Sequence, residues 1–557
     1  MGRIKRAVKY YKRHGFTKTV DKTIRVLFKS KWKFEDVTCE EIHREQMVRF
    51  SYEPKFSVLT PMYNTPVEYF RELLDAMQGQ TYKNWELCLA DGSGVDTEAY
   101  FEVLKRQKTD PRIKYKRLKS NDGISGNTNQ ALSMATGDYI ILCDHDDLIT
   151  GDAFFRVAEA LNADRSIDTL YTDEDKVDME GKKHFDPTFK PDFNIDYFRA
   201  GNYICHMFVT RREIAEKVRF RSEYDGAQDF DFIFRCAENS KVIHHIPRIL
   251  YHWRCHADST AMDPQSKAYA YEAGEKAVRD HLARCGVKAK VARDKKRPGY
   301  VKVLYQREDV PAVTVVTTKK IRSEVIEGIE YPNFDVVYAE EYSAAGLNKV
   351  IDRIRGEYVL FLDDRLLALN PKAIRNLVAP LCRDDLSGSF AKIYAKNNTL
   401  FSAGAIIGMY HAFGMAFCGV DRKVDVLGMR LTVQQDMLAS DLSCAMFRTA
   451  DLKKTQGFDE AMRLPYAGAD MFLQIHALSG KMFISLPYVT GRIDYSDGLE
   501  YSVSISEDMD QRERFADKWK EVITAGDPAY NMNFEIKRTD YYPRRKSVLI
   551  KKGIIEN

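Results

Sequence analysis

Short apolar segments alternate with amphipathic ones in the first third of this sequence, and no other feature restricts the fold as much. Segments 56–60, 85–90 and 139–143 are short and apolar, as strands buried on both faces are. Segments 66–78 and 125–135 carry apolar residues at helical spacing. Strands that alternate with helices indicate βαβ units, so we expect an α/β fold with a Rossmann-like, mostly parallel sheet.

A second copy of this pattern follows. Segment 313–317 resembles the first strand, segment 356–364 parallels 137–147, and the Gly-Ala-Asp470 motif parallels Ala-Gln-Asp229. The large spacing between the copies indicates a duplicated domain rather than a solenoid repeat. We therefore predict two sheet domains in tandem.

Polar residues stand at the ends of the predicted strands. Thr60-Pro61, Asp91 and Asp144 each follow an apolar segment directly. In parallel sheets, ligands bind at the carboxyl ends of the strands. We therefore expect these positions to border one binding site.

An acidic cluster, Asp144-His145-Asp146-Asp147, follows the third of these apolar segments. Carboxylates crowded at a strand end repel one another unless a cation lies between them. Mg²⁺ prefers oxygen ligands and commonly bridges carboxylates to phosphates. The alternative is an acidic turn that caps a helix starting near Thr150.

Residues 56–147 resemble the start of the family 2 inverting glycosyltransferases, which have the GT-A fold. The likeness extends to about residue 290 and is closest to bacterial members that assemble polysaccharides. It rests on five pieces in the order and spacing of the family: Thr60-Pro61-Met-Tyr63-Asn64, Gln80-Thr81-Tyr82, Asp91-Gly92-Ser93, the 121–125 segment with Asn129, and Asp144-x-Asp146-Asp147.

The resemblance implies a nucleotide-sugar donor, a UDP- or dTDP-sugar. Asp91 would accept a hydrogen bond from the pyrimidine ring, and Asp144 would lie near the ribose. For Asp91, a plain turn aspartate before Gly92 is the alternative. The residues implied in donor binding are Thr60, Pro61, Tyr63, Asn64, Asp91, Asn129, Asp144, His145 and Arg254.

The same resemblance implies a divalent cation, Mn²⁺ or Mg²⁺, held by Asp146 and His256. Such an ion offsets the charge that builds on a departing nucleoside diphosphate. His256 matches the family histidine, which leaves His252 as a structural residue. Arg254 either faces the diphosphate or is an ordinary surface or ion-paired arginine.

Asp229 matches the catalytic base of the family, although the residue before it is Gln228 instead of the usual Glu. A carboxylate in this role removes the proton of the attacking sugar hydroxyl. The alternative is that Asp229 caps the helix predicted at 230–237. Segment 173–175, which is Asp-Glu-Asp, either borders the acceptor site or forms a solvated acidic turn.

The second copy departs from the family pattern. Its acidic cluster reads Asp363-Asp364-Arg365, with a cation in the place of a metal-binding carboxylate, and Asp470 remains at the base position. An arginine there repels a divalent ion. We therefore expect a degenerate domain that serves in packing, acceptor binding or homo-dimerisation. A second, metal-independent activity is the alternative.

The charge is concentrated in an N-terminal arm. The chain has 85 Lys and Arg against 81 Asp and Glu. Residues 1–33 hold twelve of these bases and a single acid, Asp21. The predicted helices of this arm either lie on an anionic membrane surface or pack on the protein. No RNA-binding module accompanies the arm, so a nucleic-acid partner is not expected.

The ten cysteines include no C-x-x-C pair, which favours a reducing compartment. We predict a cytoplasmic enzyme, peripheral on the inner face of the membrane if the arm binds it. The uncharged segment 403–420 is interpreted as buried strands and loops rather than a membrane span. The predicted domains are a basic helical extension at 1–50, a catalytic domain at 51–295, a degenerate copy at 310–500 and a helical, basic tail at 501–557.

Two other functions remain open from the sequence. One is a non-catalytic glycan-binding or scaffold subunit of a polysaccharide assembly complex. The other is a nucleotidyltransferase or sugar-nucleotide hydrolase, since those enzymes also use acidic metal sites on α/β sheets. The combination of Asp91, Asp144, Asp146, Asp229 and His256 favours the glycosyltransferase.

Overall fold

The computed structural model describes residues 32–255, 268–295, 297–424 and 429–544. The chain divides into two units. Lys33–Phe193 and Phe198–Val303 form the N-terminal unit, while Asn194–Tyr197 and Leu304–Arg545 belong to the C-terminal unit. Residues 1–31 of the basic arm and the predicted metal ligand His256 lie outside the described residues.

The first half of the chain alternates strands and helices, as predicted. Its strands are β1 (Phe56–Met62), β2 (Trp85–Asp91), β3 (Ile113–Arg117), β4 (Tyr139–Leu142), β5 (Leu148–Ile149), β6 (Thr169–Val177), β7 (His184–Thr188), β8 (Phe208–Arg211), β9 (Ile243–Arg254), β10 (Ala289–Arg293) and β11 (Val301–Tyr305). Its helices are α1 (Cys39–Met47), α2 (Val67–Gly79), α3 (Glu98–Gln107), α4 (Gly123–Leu132), α5 (Ala153–Ala163), α6 (Ile195–Ala200), α7 (Arg212–Val218), α8 (Gln228–Glu238) and α9 (Ala268–Arg284), with a 3₁₀ turn at Ser222–Tyr224.

The sheet of the N-terminal unit has the order β3-β2-β1-β4-β8-β6-β9-β5, with β7 paired to β6. The pairs β1–β2, β2–β3 and β1–β4 are parallel. Strand β8 runs antiparallel to β4 and β6, and β9 is parallel to β6. Consequently the carboxyl ends of β1, β2 and β4 share one edge, which places Met62, Asp91 and Asp144 near one another.

Helix α1, Cys39–Met47, falls within residues 1–50, for which a helical extension is predicted. The helix begins with a capping box, in which the Thr38 side chain accepts from the Glu41 backbone and Glu41 accepts from the Thr38 backbone. Few of its residues are apolar, so hydrophobic periodicity does not reveal it.

The C-terminal unit repeats the alternation. Its strands are β12 (Val313–Thr318), β13 (Phe334–Ala339), β14 (Tyr358–Leu362), β15 (Leu366–Leu369), β16 (Leu386–Tyr394), β17 (Leu400–Ser402), β18 (Ala405–Ile407), β19 (Phe413–Met415), β20 (Gln435–Met437), β21 (Cys444–Arg448) and β22 (Met482–Ile493). Its helices are α10 (Ser323–Glu327), α11 (Ala344–Asn348), α12 (Ala373–Val378), α13 (Thr449–Leu452), α14 (Leu464–Ser479), α15 (Gly498–Glu507), α16 (Met509–Lys518) and α17 (Lys520–Ala525), with 3₁₀ turns at Ile351–Arg353, Ala379–Cys382 and Met409–His411.

The two sheets share the order of seven strands. The second sheet has the order β13-β12-β14-β21-β16-β22-β15, which matches β2-β1-β4-β8-β6-β9-β5 strand for strand. The parallel and antiparallel pairs also agree. The predicted α/β class with two sheet domains in tandem is therefore confirmed.

A glycine before β4 recurs before β14 for the same steric reason. A Cβ on Gly137 would lie 2.5 Å from the Lys55 carbonyl oxygen, and one on Gly356 would lie 2.5 Å from the Thr314 nitrogen. Each glycine lets a loop approach the neighbouring strand closely. The shared Gly in the two copies of the sequence therefore marks a shared contact.

Segment 403–420 consists of short strands and turns that are mostly buried, as predicted. None of the helices in the described ranges is both long and apolar enough to cross a bilayer.

Candidate active site

A cavity of about 1070 Å³ opens in the N-terminal unit at the carboxyl ends of β1 and β4. The strands contribute Leu59, Pro61, Leu142 and Asp144 to its wall. The parallel register pairs Leu59 with Leu142, so the residues that follow them emerge side by side. The first turn of α8 contributes Asp229 to the same cavity. The structure thus brings together two carboxylates that are 85 residues apart in the sequence.

Asp229 lies inside the first turn of α8 and is not its cap. The helix begins at Gln228 with Ala227 at the cap position, which makes no side-chain cap bond. Oδ2 of Asp229 instead accepts a 2.7 Å hydrogen bond from Nδ2 of Asn202. The capping interpretation is therefore wrong, and the carboxylate is held toward the cavity.

The acidic cluster meets a histidine that sequence analysis did not single out. One ligand atom from each of Asp144, Asp147 and His206 lies within 4.8 Å of the others. The His206 ring stacks on Tyr251 with centroids 4.6 Å apart. The Tyr251 hydroxyl accepts from the Asp144 backbone at 3.2 Å and donates to Asp147 at 2.5 Å. Tyr251 therefore contacts the histidine ring, the backbone of Asp144 and the carboxylate of Asp147.

The charges of this cluster fit a cation. Burial raises the pKa of Asp144 above its usual value, and the Asp146 and Asp229 carboxylates add to this, while His206 opposes it. Burial and the neighbouring Asp146 also raise the pKa of Asp147 well above its usual value. Nδ1 of His206 is buried without a hydrogen-bond partner. Nε2 of the same ring lies 3.9 Å from Oδ2 of Asp144. Crowded carboxylate oxygens beside an imidazole nitrogen are a donor set that a divalent ion satisfies.

Asp146 and His145, both predicted site residues, are half-buried beside this cluster. Nδ1 of His145 lies 3.3 Å from the Pro61 carbonyl oxygen, which ties the acidic turn to the end of β1. The Asp146 carbonyl accepts from Nε of Arg254 at 2.7 Å. These contacts fix the backbone of the acidic cluster.

The residues that were predicted to border the nucleotide base lie at the ends of β1 and β2. Asp91 is 1% exposed, and its carboxylate accepts from the Ser93 backbone at 2.9 Å and from the Tyr115 hydroxyl at 2.8 Å. The backbone of Asn64 donates to the Ser93 hydroxyl at 2.9 Å. Asp91 therefore shapes the turn that faces residue 64.

Other members of the predicted 60–64 segment differ in exposure. Thr60 is buried and its Oγ1 has no hydrogen-bond partner in the structure, whereas Tyr63 is 50% exposed. Pro61 lines the cavity. The segment thus changes from core to surface within four residues, as expected at a strand end.

Arg254 is buried and fully engaged by the protein. Its guanidinium donates to the carbonyl oxygens of Asp146 and Met179 at 2.7 and 2.6 Å and forms an ion pair with Glu72. It also lies over the Tyr69 ring at 4.6 Å. Of the two interpretations offered for Arg254, the structure shows the ion-paired one.

The side-chain amide of Asn129 hydrogen-bonds to the backbone of Phe220. Nδ2 donates to the Phe220 carbonyl and Oδ1 accepts from its N–H, both at 2.9 Å. The C-terminal unit repeats this arrangement between Asn348 and Phe458. These hydrogen bonds recur in the copy whose acidic cluster has changed. We therefore infer that Asn129 and its counterpart Asn348 stabilise the fold.

The acidic segment 173–175 lies in β6 and is buried, so the interpretation as a solvated turn is wrong. Glu174 lines the cavity. Asp175 accepts from Nδ1 of His252 at 2.5 Å and from Nδ1 of His184 at 2.8 Å. His252 is thus bound to a buried carboxylate, which agrees with its predicted structural role.

In the C-terminal unit, Asp363 and Asp470 are each paired with a basic side chain of the same unit. Arg365 forms a two-pronged ion pair with Asp363, at 2.9 and 2.7 Å. Asp470 is fully buried and bonded to Lys518 at 2.7 Å, to Nε1 of Trp519 at 2.9 Å and to Gln474 at 2.7 Å. An aspartate held in this way has no free oxygen facing a substrate.

Sequence reasoning missed Asn202 and His206 as site residues. Both lie between α6 and β8, where the chain crosses to the middle of the sheet. Asn202 stood within a segment that resembles the family, which was the one available signal. His206 is 59 residues from the end of the acidic cluster, and no local pattern connects them.

Comparison with known proteins agrees with this geometry. Residues 57–219 match the family model described as glycosyl transferase family 2. Over 546 residues the chain is 28% identical to the uncharacterized protein y4gI of Sinorhizobium fredii, covering 89% of this chain and 59% of that protein. Over 547 residues it is 25% identical to the O-antigen biosynthesis protein RfbC of Myxococcus xanthus, covering 90% and 42%.

A third relative aligns with a smaller part of the chain. It is the GalNAc(5)-diNAcBac-PP-undecaprenol beta-1,3-glucosyltransferase of Campylobacter jejuni, 28% identical over 226 residues, or 39% of this chain and 70% of that protein. The chain spans about half the length of the first two relatives. The strand–helix order and the acidic strand end agree with these matches: residues 57–219 are the part of the chain that matches glycosyl transferase family 2.

Proposed function

We propose that this chain is an inverting glycosyltransferase of cell-surface polysaccharide biosynthesis. It would transfer a sugar from a UDP- or dTDP-sugar to a hydroxyl of a glycan or lipid-linked glycan. The observation that carries the proposal is the cavity that Asp144, inside the family 2 match, shares with Asp229, ten residues beyond the end of that match. Relatives named for O-antigen biosynthesis and for an undecaprenol-linked glucosyltransferase support the substrate class.

Asp229 is the general base in this proposal. Its carboxylate takes the proton of the acceptor hydroxyl while the oxygen forms a bond to the anomeric carbon. The bond from that carbon to the diphosphate breaks on the opposite side, and the nucleoside diphosphate leaves. The Asn202 amide occupies Oδ2 of Asp229, which leaves Oδ1 for the proton.

The donor lies at the end formed by β1, β2 and β4. Residues 60–64 and Asp91 border the base, and Asp144 lies at the ribose. Asp146 would hold the divalent ion, Mn²⁺ or Mg²⁺, beside the cluster of Asp144, Asp147 and His206. Bound there, the ion would offset the charge of the leaving diphosphate. His256 remains the proposed further ligand.

The proposed setting is the cytoplasm, with residues 1–33 at the inner face of the membrane. A growing lipid-linked glycan would be accessible there. A basic amphipathic arm binds anionic lipid by its charge and its apolar face.

The test is release of nucleoside diphosphate from a panel of UDP- and dTDP-sugars with Mn²⁺. Transferases of this kind hydrolyse their donor slowly when no acceptor is present. We expect hydrolysis of one donor by the wild type, its loss in Asp229→Ala and Asp144→Ala, and normal hydrolysis in Asp364→Ala, a change in the acidic cluster of the C-terminal unit. If no donor is turned over and none binds, the transferase proposal fails and the glycan-binding scaffold takes its place.

A further inference from the structure

One wall of the cavity comes from a segment beyond the family match. Helix α9, strand β10 and the turn before β11 line the cavity opposite the strand ends. The family model ends at residue 219. The wall therefore lies beyond the residues that the family model matches.

Tyrosines dominate this wall. Tyr269, Tyr271 and Tyr300 line the cavity together with Glu275 and Arg293, which form an ion pair at 3.1 Å. Tyr269 is 56% exposed although it lies in the first turn of α9. A large aromatic ring left open in a cavity has apolar surface available to a ligand.

A glycine fixes the place of the Tyr269 ring. Gly226 has φ = +93°, and a Cβ there would lie 2.6 Å from Cε2 of Tyr269. The ring therefore packs against backbone three residues before Asp229. Gly201, next to Asn202, contacts the ring of Tyr300 in the same way, with a Cβ 2.8 Å from Cδ1. Both rings are thus tied to the loops that hold the Asn202–Asp229 pair.

We propose that the exposed ring of Tyr269 is the stacking platform for the acceptor sugar, and this inference rests on the proposed function. The attacking hydroxyl must lie within hydrogen-bond reach of Asp229. The sugar ring that carries it then extends from Asp229 along the wall to Tyr269. A pyranose presents an apolar face of C–H groups, which packs on an aromatic ring, and its hydroxyls meet the charged groups beside it.

The donor does not compete for this surface. Its proposed contacts come from β1, β2 and β4, whereas Tyr269 stands on the α8–α9 side of Asp229. The platform therefore predicts an effect on acceptor affinity alone.

The test compares Tyr269→Ala with Tyr269→Phe, and uses Phe101→Ala as a control. Phe101 is 58% exposed on α3 and is not among the residues that line the cavity. Binding of methyl β-glucoside, methyl β-galactoside and methyl α-rhamnoside, each with UDP and Mn²⁺ present, is measured by saturation-transfer NMR. Thermal unfolding of each variant checks that the fold is intact.

We expect Tyr269→Ala to raise the dissociation constant of the bound glycoside about fivefold. Tyr269→Phe and Phe101→Ala should bind as the wild type does. The proposal is overturned if the wild type binds none of the three glycosides, or if Tyr269→Ala binds them unchanged.

Donor hydrolysis on the same samples tests the transferase separately, because hydrolysis needs no acceptor sugar. A wild type that binds glycoside through Tyr269 without turning over any donor would refute the proposed function. Tyr269 would then still be a sugar-stacking residue. A wild type that hydrolyses donor while Tyr269→Ala binds glycoside normally would refute the platform alone.

Discussion

The side-chain amide of Asn202 donates a 2.7 Å hydrogen bond to Oδ2 of Asp229. Asn202 follows α6, and Asp229 lies in the first turn of α8. Oδ1 of Asn202 in turn accepts from the Cys205 backbone at 3.2 Å, which fixes the amide orientation. One oxygen of the carboxylate is therefore held while the other remains for chemistry.

Replacing Asn202 by Ala should lower kcat about tenfold and leave the KM of the donor unchanged. A hydrogen bond to a charged group is worth about 1.5–3 kcal/mol, and its loss lets the carboxylate leave the reactive position. Steady-state kinetics of nucleoside diphosphate release would measure both constants. An increase in donor KM at constant kcat would contradict the role as a positioning residue.

Replacing Arg254 by Ala should destabilise the N-terminal unit by about 3 kcal/mol, because the change leaves Glu72 and two carbonyl groups without their buried partner. Urea unfolding followed by the fluorescence of the buried Trp85 would measure the loss. The nearby Arg71, whose side chain is 49% exposed, gives a matched control, and Arg71→Ala should cost under about 1 kcal/mol. Unchanged stability together with a large increase in donor KM would instead place Arg254 at the diphosphate.

The change Lys518→Met should destabilise the C-terminal unit by about 2 kcal/mol and leave transfer unaffected. It removes the cation beside Asp470, which is fully buried, although Trp519 and Gln474 still donate to that carboxylate. Lys520→Met, at an exposed neighbouring position, is the control. Thermal unfolding and the transfer rate measure the two effects. A lower transfer rate in a stable Lys518→Met protein would indicate activity in the second copy.

Glu86 should make the stability of the N-terminal unit depend on acid pH. Burial would raise its pKa, but hydrogen bonds from Lys114, Lys55, Thr136 and Ser57 outweigh burial and lower the pKa to about 2 from the usual 4.5. Because the folded pKa is the lower one, the ionised carboxylate stabilises the fold above pH 4.5, and this contribution is lost as the pH falls toward 2.

The shift corresponds to about 3 kcal/mol at pH 7 and about half of that near pH 3. Urea unfolding at both pH values, with Glu86→Gln for comparison, would measure it. The difference between wild type and variant should shrink at the lower pH. An equal difference at both would show that the contribution of Glu86 does not depend on its ionisation.

The sequence by itself determined the local structure of the first sheet. The apolar positions predicted for the helix at 66–78 are those that α2 buries, namely Val67, Phe70, Leu73, Leu74 and Met77. The strand ends near Asp91 and Asp144 follow from the same periodicity, because side-chain burial repeats with the geometry of each element, whereas β1 continues to Met62, two residues past Thr60. The duplication was also visible, since each copy must bury the same faces.

Only the tertiary structure decided which side chains complete the site. Asn202 bonds to Asp229 and His206 meets the acidic cluster through the crossover to β8, while Tyr269 lines the same cavity from helix α9. Such contacts depend on topology and on the closure of long loops, which leave no periodic signal. For the same reason, tertiary packing alone decided that Arg254 is bound by Glu72 and that Asp470 is paired with Lys518.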